Sequence, residues 1–305
     1  MSRKKLLLFF IDGIGLGEDD PEINPLRGLF SPVMDGNPFV ARSEPLFFSH
    51  GVLIPTDPIM GVPGVPQSAT GQTSIFTGLN AQEHLGFHLT GYPNPELKAL
   101  IERRSLMKRL IDAGVRTTAA NLYSQEFFEQ RQSRDFFPAS TLVIRASGAP
   151  FRYWPDYVSG KAVFADITNE LIRNRGYDVE LIEPEVAAKH MIQVLDDDDF
   201  VFFEYFMTDL HGHKRNRKEL ERCVEVLNRF TSSLWGGVDR STTGVLVVSD
   251  HGNAEDVVRG GHTMNMVPTL LLRTDETECR RFAETVSRLT DIYPAVLRTF
   301  GVDVG

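Results

Sequence analysis

The segment GVLVVSDHGNAED, residues 244–256, begins as an apolar run and ends in an acidic residue next to a histidine. Its first half has the length and the β-branched composition of a buried strand. Strands that are apolar on both faces are typical of a sheet that helices cover on both sides. Four further runs have the same character: KKLLLFFI at 4–11, GVRTTAANLY at 114–123, FVFFEYF at 200–206 and VPTLLLRT at 267–274.

Amphipathic helical patterns separate these runs. In the first of them, Asn94 is the expected N-cap and Pro95 the first helical residue. The alternation of strands and helices predicts an α/β fold with a doubly wound, mostly parallel sheet. The clearest helical segments are NPELKALIERRSLMKRLIDAG at 94–114, PEVAAKHMIQVL at 184–195 and RKELERCVEVLNRFTSSLW at 217–235.

Two regions interrupt the alternation. Residues 20–66 are rich in proline, and we expect an irregular ordered loop that covers one edge of a site. Residues 124–165 are rich in aromatic residues and arginines and follow no single period. We interpret this segment as a small cap or insertion in a core formed by residues 1–123 and 166–305.

Composition limits the classes of partner. The formal charge of −9 argues against a nucleic-acid partner, because phosphate backbones are bound through surplus lysine and arginine. No apolar stretch approaches the roughly 18 residues of a membrane span. The start of the chain imitates a signal peptide, but Asp12 interrupts its apolar run, so we interpret it as a strand.

Cys223 and Cys279 lack metal or redox spacing, which favours core thiols in the cytoplasm. The oligomeric state stays open.

Acidic and histidine residues follow several of the predicted strands. Ligands of a doubly wound sheet bind at the carboxyl ends of its strands, so these side chains are expected to gather at one edge. Three carboxylates brought together would repel one another unless cations lay among them. Each residue alone has an ordinary explanation as a turn former or helix cap. The candidates are Asp12, Asp209, His213, Asp250, His251 and His262.

The segment QSATGQTSIFTG, residues 67–78, contains several hydroxyl groups where a helix is expected to begin. It is compatible with an ordinary Ser/Thr-rich helix start. It is also compatible with a nucleophile at a helix amino terminus, where backbone N–H groups and the helix dipole favour an incoming phosphate. The candidate hydroxyls are those of Ser68, Thr70 and Thr73.

These motifs together resemble the alkaline phosphatase superfamily, most closely its cofactor-independent phosphoglycerate mutase and phosphopentomutase branch. DHGNAE at 250–255 and HTMNMVP at 262–268 are similar to motifs of that branch, and DLHGH at 209–213 fits its D-x-x-G-H pattern. The last pattern selects His213 rather than His211 as a ligand. QSATG aligns with the nucleophile motif at Ser68, which lies ten residues before Gly78, as in the superfamily.

The resemblance implies a two-metal site that transfers a phosphoryl group of a small phosphorylated metabolite through a phosphoserine. One metal would take Asp12, Asp250, His251 and the Ser68 oxygen; a second would take Asp209, His213 and His262. Carboxylate and imidazole ligands suit manganese or zinc. Two departures, Gln72 in place of a histidine and the short cap, favour a phosphomonoesterase over the alternative, a mutase acting on phosphoglycerate or a sugar phosphate.

Two further expectations concern the substrate and the competing classes. Arg145 and Arg152, in the candidate cap, are predicted to bind the non-reacting part of the substrate, because a guanidinium group donates two hydrogen bonds to anionic oxygens. A serine hydrolase using Ser68 is a weaker alternative, since the segment lacks G-x-S-x-G. A non-catalytic metal-binding protein of the same fold is the remaining alternative.

Overall fold

The computed structural model describes residues 3–132 and 135–304. In this part of the chain, one seven-stranded sheet has the order β2-β3-β7-β6-β1-β5-β4. This architecture, with helices on both faces, confirms the predicted fold class. The strands are β1 Lys5–Ile11, β2 Leu46–Phe48, β3 Gly51–Thr56, β4 Thr117–Ala119, β5 Phe200–Tyr205, β6 Thr243–Val248 and β7 Val267–Leu272.

The helices of the described residues alternate with these strands. The segment predicted as one helix at 94–114 forms two, because the backbone of Ser105 is extended and its side chain accepts a hydrogen bond from the N–H of Lys108. The helices are α1 Ser68–Thr77, α2 Ala81–Leu85, α3 Pro95–Arg104, α4 Leu106–Asp112, α5 Gln125–Gln132, α6 Ala139–Ser147, α7 Trp154–Val158, α8 Glu170–Asn174, α9 Pro184–Asp197, α10 Met207–His213, α11 Arg217–Gly237, α12 Glu276–Thr285 and α13 Ile292–Thr299.

The sheet has a parallel half and an antiparallel half. Strands β6, β1, β5 and β4 run parallel, whereas β7 pairs antiparallel with both β6 and β3, and β3 pairs antiparallel with β2. Strands β2 and β3 lie within residues 20–66, so the expectation of a wholly irregular loop there was wrong. All six residues of β3 are buried, which shows that the proline-rich composition concealed a strand of the core.

Strand β1 shows why the sheet is covered on both faces. Its alternate residues Leu6, Leu8 and Phe10 belong to one hydrophobic core, and Leu7, Phe9 and Ile11 belong to the other. Successive side chains of a strand point to opposite faces, so a continuous apolar run requires a core on each side. Helices α1, α4, α6, α12 and α13 contribute to the first core, and α9 and α11 to the second.

The predicted cap segment, 124–165, is divided between two environments. Leu142, Val143 and Ile144 of α6 lie in the same core as β1, so this helix is part of the covering layer. Helix α7 instead contributes Tyr157 to a small separate cluster that includes Phe164. Residues 133 and 134 of the predicted cap lie outside the described part of the chain.

Candidate metal centre

The predicted ligands meet at one edge of the sheet. Asp12 directly follows β1, Asp209 lies on α10 just beyond β5, and Asp250 comes two residues after β6. Parallel strands bring their carboxyl ends to the same edge, which explains why these three aspartates are neighbours. His262 precedes β7, and it reaches that edge because β7 runs antiparallel to β6, with Val248 opposite Thr269.

One ligand group consists of Asp12, Asp250 and His251, whose ligand atoms all lie within 4.8 Å of one another. The Nε2 atom of His251 is 3.4 Å from Oδ1 of Asp12 and 3.6 Å from Oδ2 of Asp250. The Oγ atom of Ser68 lies 3.0 Å from the same Nε2 atom. Both carboxylates and the hydroxyl therefore converge on one nitrogen.

This convergence distinguishes the site from a Ser-His-Asp triad. In a triad the carboxylate binds Nδ1 of the histidine while the serine faces Nε2. Here Nδ1 of His251 faces the carbonyl oxygen of Gly252 at 3.4 Å, and the carboxylates of Asp12 and Asp250 lie on the Nε2 side with Ser68. Several potential ligands around one point are the arrangement expected for a cation.

A second group consists of Asp209, His251 and His262. His213 lies beside it: its Nε2 atom is 3.4 Å from Oδ2 of Asp209 and 3.2 Å from Nε2 of His262. The rings of His251 and His262 stack with 3.7 Å between centroids. The structure thus brings all six ligands predicted from the sequence, together with Ser68, into one cluster.

The electrostatics of the cluster fit divalent cations. Oδ1 of Asp12 and Oδ1 of Asp250 are buried and accept no hydrogen bond from any described residue. Burial, reinforced by Asp250 and Asp209, raises the pKa of Asp12 well above its usual value, and burial raises the pKa of Asp250 to about 8. Burial lowers the pKa of His251, with a further contribution from His262. Ionised carboxylates in such surroundings need positive charge nearby, and neutral imidazoles are ready to bind it.

Neighbouring groups orient the ligands. The carbonyl oxygen of Pro66 accepts a hydrogen bond from Nδ1 of His262 at 2.9 Å, which leaves Nε2 of that ring free to bind a metal. The amide of Gln72 donates to Oδ2 of Asp250 at 3.1 Å, and Asn253 donates to Oδ1 of Asp209 at 2.6 Å. Gln72 and Asn253 thus each hold a carboxylate of the cluster in place.

Glu255 connects the loops that carry these ligands. This fully buried carboxylate accepts hydrogen bonds from the backbone N–H groups of Gly15 and Asn253, at 2.9 and 2.8 Å. It also accepts from the hydroxyl of Thr263 and, at 3.0 Å, from the amide of Asn265. One side chain therefore ties together the loops that follow β1 and β6 and the loop that precedes β7.

Ser68 is the first residue of α1, as predicted for a nucleophile at a helix amino terminus. The helix approaches the metal ligands closely, because a Cβ atom placed on Gly71 would lie 2.8 Å from the carbonyl oxygen of Asp250. Only glycine permits this contact without displacing the strand end. The start of α1 thus places the Ser68 hydroxyl 3.0 Å from Nε2 of His251, a residue of both ligand groups.

A cavity of about 520 Å³ opens from Ser68, Asp12 and Asp209. Among the described residues that line it, the arginines and lysines are Arg131, Arg175 and Lys214. Arg145 and Arg152, predicted from the sequence to bind substrate, do not border it. Arg145 lies against Asp135 and the ring of Phe137. Arg152 donates hydrogen bonds to the carbonyl oxygen of Ala119 and the hydroxyl of Thr118, so its guanidinium group joins β4 to the loop that precedes α7.

Glu204 is a residue of the cavity that the sequence analysis missed. Its carboxylate accepts a hydrogen bond from Ser140 at 2.9 Å, and burial raises its pKa to about 7. Its backbone N–H and C=O groups both pair with the side chain of Asn121, which also borders the cavity. The signal was available, because Glu204 is the single charged residue in the apolar run 200–206.

The fold is similar to that of solved structures that include an alkaline phosphatase. Residues 161–304 match the family model described as the metalloenzyme superfamily. The structure is similar to the PH0037 protein from Pyrococcus horikoshii, with a TM-score of 0.59 and 19% identity over 100% of this chain and 99% of that one. It is also similar to the alkaline phosphatase from the Antarctic bacterium TAB5, with a TM-score of 0.55 and 14% identity over 99% and 98% of the two chains.

Two curated relatives are 2,3-bisphosphoglycerate-independent phosphoglycerate mutases. The protein from Pyrococcus abyssi is 24% identical over 90% of this chain and 73% of its own length. The protein from Thermococcus kodakarensis is 24% identical over 63% of this chain and 51% of its own length. The chain thus spans about half of the second relative and about three quarters of the first. These similarities confirm the resemblance that the motifs indicated.

In the described part of the chain, we find no helix with the length and apolar character that a membrane crossing requires.

Proposed function

We propose that the protein is a metal-dependent phosphoryl-transfer enzyme that acts on a small phosphate ester through a phosphoserine at Ser68. The observation that carries this proposal is the position of the Ser68 hydroxyl. It lies at the start of α1 and 3.0 Å from His251, where both ligand groups meet. A serine at this point has a helix amino terminus for the phosphate and cation ligands for activation.

The ligand groups would hold two divalent cations. Asp12 and Asp250 would bind one with His251; Asp209 and His262 would bind the other. A single ring nitrogen binds one ion, so His213, whose Nε2 lies 3.2 Å from that of His262, would complete the second set. Bound divalent cations supply Lewis acidity, which lowers the pKa of the serine hydroxyl and neutralises charge on the phosphoryl group. The mixed oxygen and nitrogen donors suit manganese or zinc.

The chain's own groups would perform the remaining tasks. The Ser68 hydroxyl would give its proton to water, its Oγ would attack phosphorus, the bond from phosphorus to the ester oxygen would break, and the departing oxygen would take up a proton from water. In hydrolysis, a water molecule would then attack the phosphoserine, break the bond from phosphorus to Oγ, release inorganic phosphate and return a proton to Ser68. The N–H groups at the start of α1 stabilise the charge that the phosphoryl oxygens carry. Arg131, Arg175 and Lys214 border the cavity and are placed to attract the anionic substrate.

The fate of the phosphoserine separates two candidate reactions. The short insertion between β4 and β5 favours hydrolysis, because a mutase must exclude water while the dephosphorylated substrate reorients. The names of the two curated relatives favour the mutase reaction instead. We propose phosphomonoester hydrolysis as the principal activity and phosphomutase activity as the second candidate.

Both parts of the proposal can be tested with one set of substrates. The Mn²⁺-loaded protein would be incubated with phosphoglycerate and with a sugar phosphate, each ³²P-labelled, and the products followed alongside ³¹P NMR. We expect label on Ser68, located by mass spectrometry, and release of inorganic phosphate. Ser68→Ala should accumulate no label, whereas Thr70→Ala should retain it. Label on another residue would overturn the nucleophile assignment, and isomerisation with negligible inorganic phosphate would establish the mutase reaction.

A further inference from the structure

The cavity beyond Ser68 has an aromatic wall, and this wall bears on the substrate of the proposed phosphoryl transfer. Its rings come from separate chain segments: the loop after α2, the loop before α5, α5 itself, the loop after α7 and the junction of β5 with α10. Four stretches of the chain, one of which carries both Tyr123 and Phe127, thus contribute rings to one space. The rings belong to Tyr92, Tyr123, Phe127, Phe164 and Phe206.

Several of these rings keep surface that the hydrophobic cores do not cover. Tyr92 is 43% exposed, and Phe127 and Phe206 are half-buried. Aromatic residues that pack only into the core, such as Phe202 and Phe203, have no exposed surface at all. Part of the surface of Tyr92, Phe127 and Phe206 is therefore accessible where these residues border the cavity, although the guanidinium group of Arg131 lies 4.1 Å from the ring centroid of Phe127.

The rim of the wall already shows aromatic stacking. The ring of Tyr92 lies parallel to that of Phe136, with 4° between the planes and 5.6 Å between centroids, although the two come from different segments. Phe136 is itself 51% exposed. This stacked pair, of which Tyr92 borders the cavity, presents flat apolar surface, which planar ring systems cover well.

The size of the cavity also favours a substrate larger than a three-carbon phosphate ester. At about 520 Å³ it falls within the roughly 300–1,000 Å³ of pockets that enclose drug-sized ligands. A three-carbon phosphate ester bound at Ser68 would leave much of the aromatic wall in contact with water. The wall also contains a polar group that can pair with a ring heteroatom, since the carboxyl group of Glu204 borders the cavity.

We propose that the preferred substrate is a phosphomonoester whose alcohol carries a planar aromatic ring system of about the size of a nucleobase. The phosphoryl group binds at Ser68, and the ring packs against the wall that includes Tyr92 and Phe164. The basic residues at the rim attract the phosphate on entry. This inference rests on the proposed function, because it assigns the leaving group of the same reaction.

A matched pair of substrates tests the contribution of the aromatic ring to binding while the ester bond that breaks stays the same. Adenosine 5′-monophosphate and ribose 5-phosphate have the same primary ester oxygen and differ in the base. With the Mn²⁺-loaded enzyme we expect kcat/KM to be about tenfold higher for the nucleotide, mainly through KM, since stacking binds the ground state and the transition state alike. Equal values for the two substrates, or a preference for ribose 5-phosphate, would overturn the inference and leave the phosphoryl-transfer proposal intact.

Substitutions at Tyr92 and Phe87 test which ring causes the preference for the nucleotide. Tyr92→Leu should remove most of the preference for the nucleotide, and Tyr92→Phe should retain it, because only the first loses the ring. Phe87→Leu is the matched control: Phe87 is 50% exposed in the same loop, and it is not among the described residues that border the cavity. Loss of the preference in Phe87→Leu, or its retention in Tyr92→Leu, would contradict the assigned wall.

Binding measured without turnover separates the two proposals. Calorimetry on Mn²⁺-loaded Ser68→Ala should give a dissociation constant about tenfold lower for adenosine 5′-monophosphate than for ribose 5-phosphate. Benzyl phosphate, compared with ethyl phosphate, shows whether any aromatic ring suffices or a nucleobase is required. Tighter nucleotide binding without turnover by the wild type would support the ring site and refute the reaction. Equal binding of both pairs would refute the ring site.

Discussion

The two ends of the cavity are built in different ways. At the sheet edge, short loops hold the ligands at the ends of adjacent strands, and Glu255 hydrogen-bonds to three of these loops. At the far end, aromatic and basic side chains come from helices and longer loops such as 86–94, and the contacts are largely between rings. The sheet-edge end therefore has hydrogen-bond donors and acceptors at fixed positions, whereas the far end offers mainly apolar ring surface.

This difference explains why the two ends of the cavity restrict the choice of residue types to different degrees. Metal ligands need particular atoms at particular positions, so few residue types can serve and the motifs are recognisable. A wall that stacks on a ring accepts any of several aromatic residues from any nearby segment. Under the proposed function, the sheet edge would therefore supply the chemistry of the reaction, and the other end of the cavity would select the substrate.

Removing the metals should produce the largest effect, and it should act only at the sheet edge. We expect chelation to reduce turnover by at least about 10³-fold, because the serine hydroxyl loses its activating cation. The melting temperature should also fall, because metals that bind only the folded state stabilise it. Assays and thermal unfolding before and after chelation measure both effects. Full activity of the stripped protein would refute the metal centre.

The stability of the stripped protein should depend on pH in a defined direction. The folded pKa values of Asp12 and Asp250 are raised, to about 8 for Asp250, so their contribution to stability is present at low pH and is lost as pH rises through the folded pKa. His251 has a lowered pKa and stays neutral in both states above about pH 6.5.

Between about pH 6.5 and 8, then, the melting temperature of the stripped protein should fall by about 4 °C, while that of the loaded protein changes little. Stripped Asp250→Asn should show a shallower slope, because one of the titrating groups is gone. A melting temperature that rose with pH over this window would contradict the assigned shifts.

Glu255→Gln should have the next largest effect, because it weakens the connection among the ligand loops. The amide keeps the shape of the side chain but has one acceptor oxygen for the four donors that Glu255 serves. We expect metal affinity to fall by roughly 10- to 100-fold, as for other groups that orient ligands. The free energy of unfolding should fall by about 2 kcal/mol. Competition with a chromophoric chelator and urea unfolding give the two values.

Asp256→Asn is the control for this substitution. Asp256 is the next residue along the chain, and it accepts hydrogen bonds from the exposed backbone N–H groups of Val258 and Arg259. Its variant should bind metal normally. If both variants lost affinity alike, a general weakening of the 250–260 loop would explain the result, and the specific role of Glu255 would be wrong.

The smallest effect is expected at the basic rim of the cavity. Arg175→Ala should raise KM for a phosphate ester by about threefold to tenfold with kcat nearly unchanged, because an exposed charge contributes modestly to binding. Arg145→Ala is the matched control, since Arg145 is also exposed but pairs with Asp135 away from the cavity. Steady-state kinetics at two salt concentrations would measure the change in KM for each variant. A larger rise in KM for Arg145→Ala would restore the prediction made from the sequence.

Much of the metal centre could be predicted from the sequence, and much of the substrate side could not. Asp12, Asp250 and His251 were identifiable because each follows an apolar run with the length and composition of a buried strand. Arg145 was a reasonable choice by composition, but its direction depends on how α6 packs into the core. Glu204 was visible as a charge within a strand, yet its place in the cavity depends on which face of β5 that strand position occupies.

The sequence by itself determined the fold class and the position of Ser68 at a helix start, and it predicted the candidate ligand set. These features depend on local periodicity and on the identity of the reacting atoms, both of which are written along the chain. The tertiary structure alone decided that β7 runs antiparallel, which brings His262 to the ligand edge, and that β3 is a core strand within a proline-rich region. It also decided which rings and basic groups face the cavity. Strand direction and side-chain convergence result from contacts between residues far apart in the chain, and no local pattern encodes them.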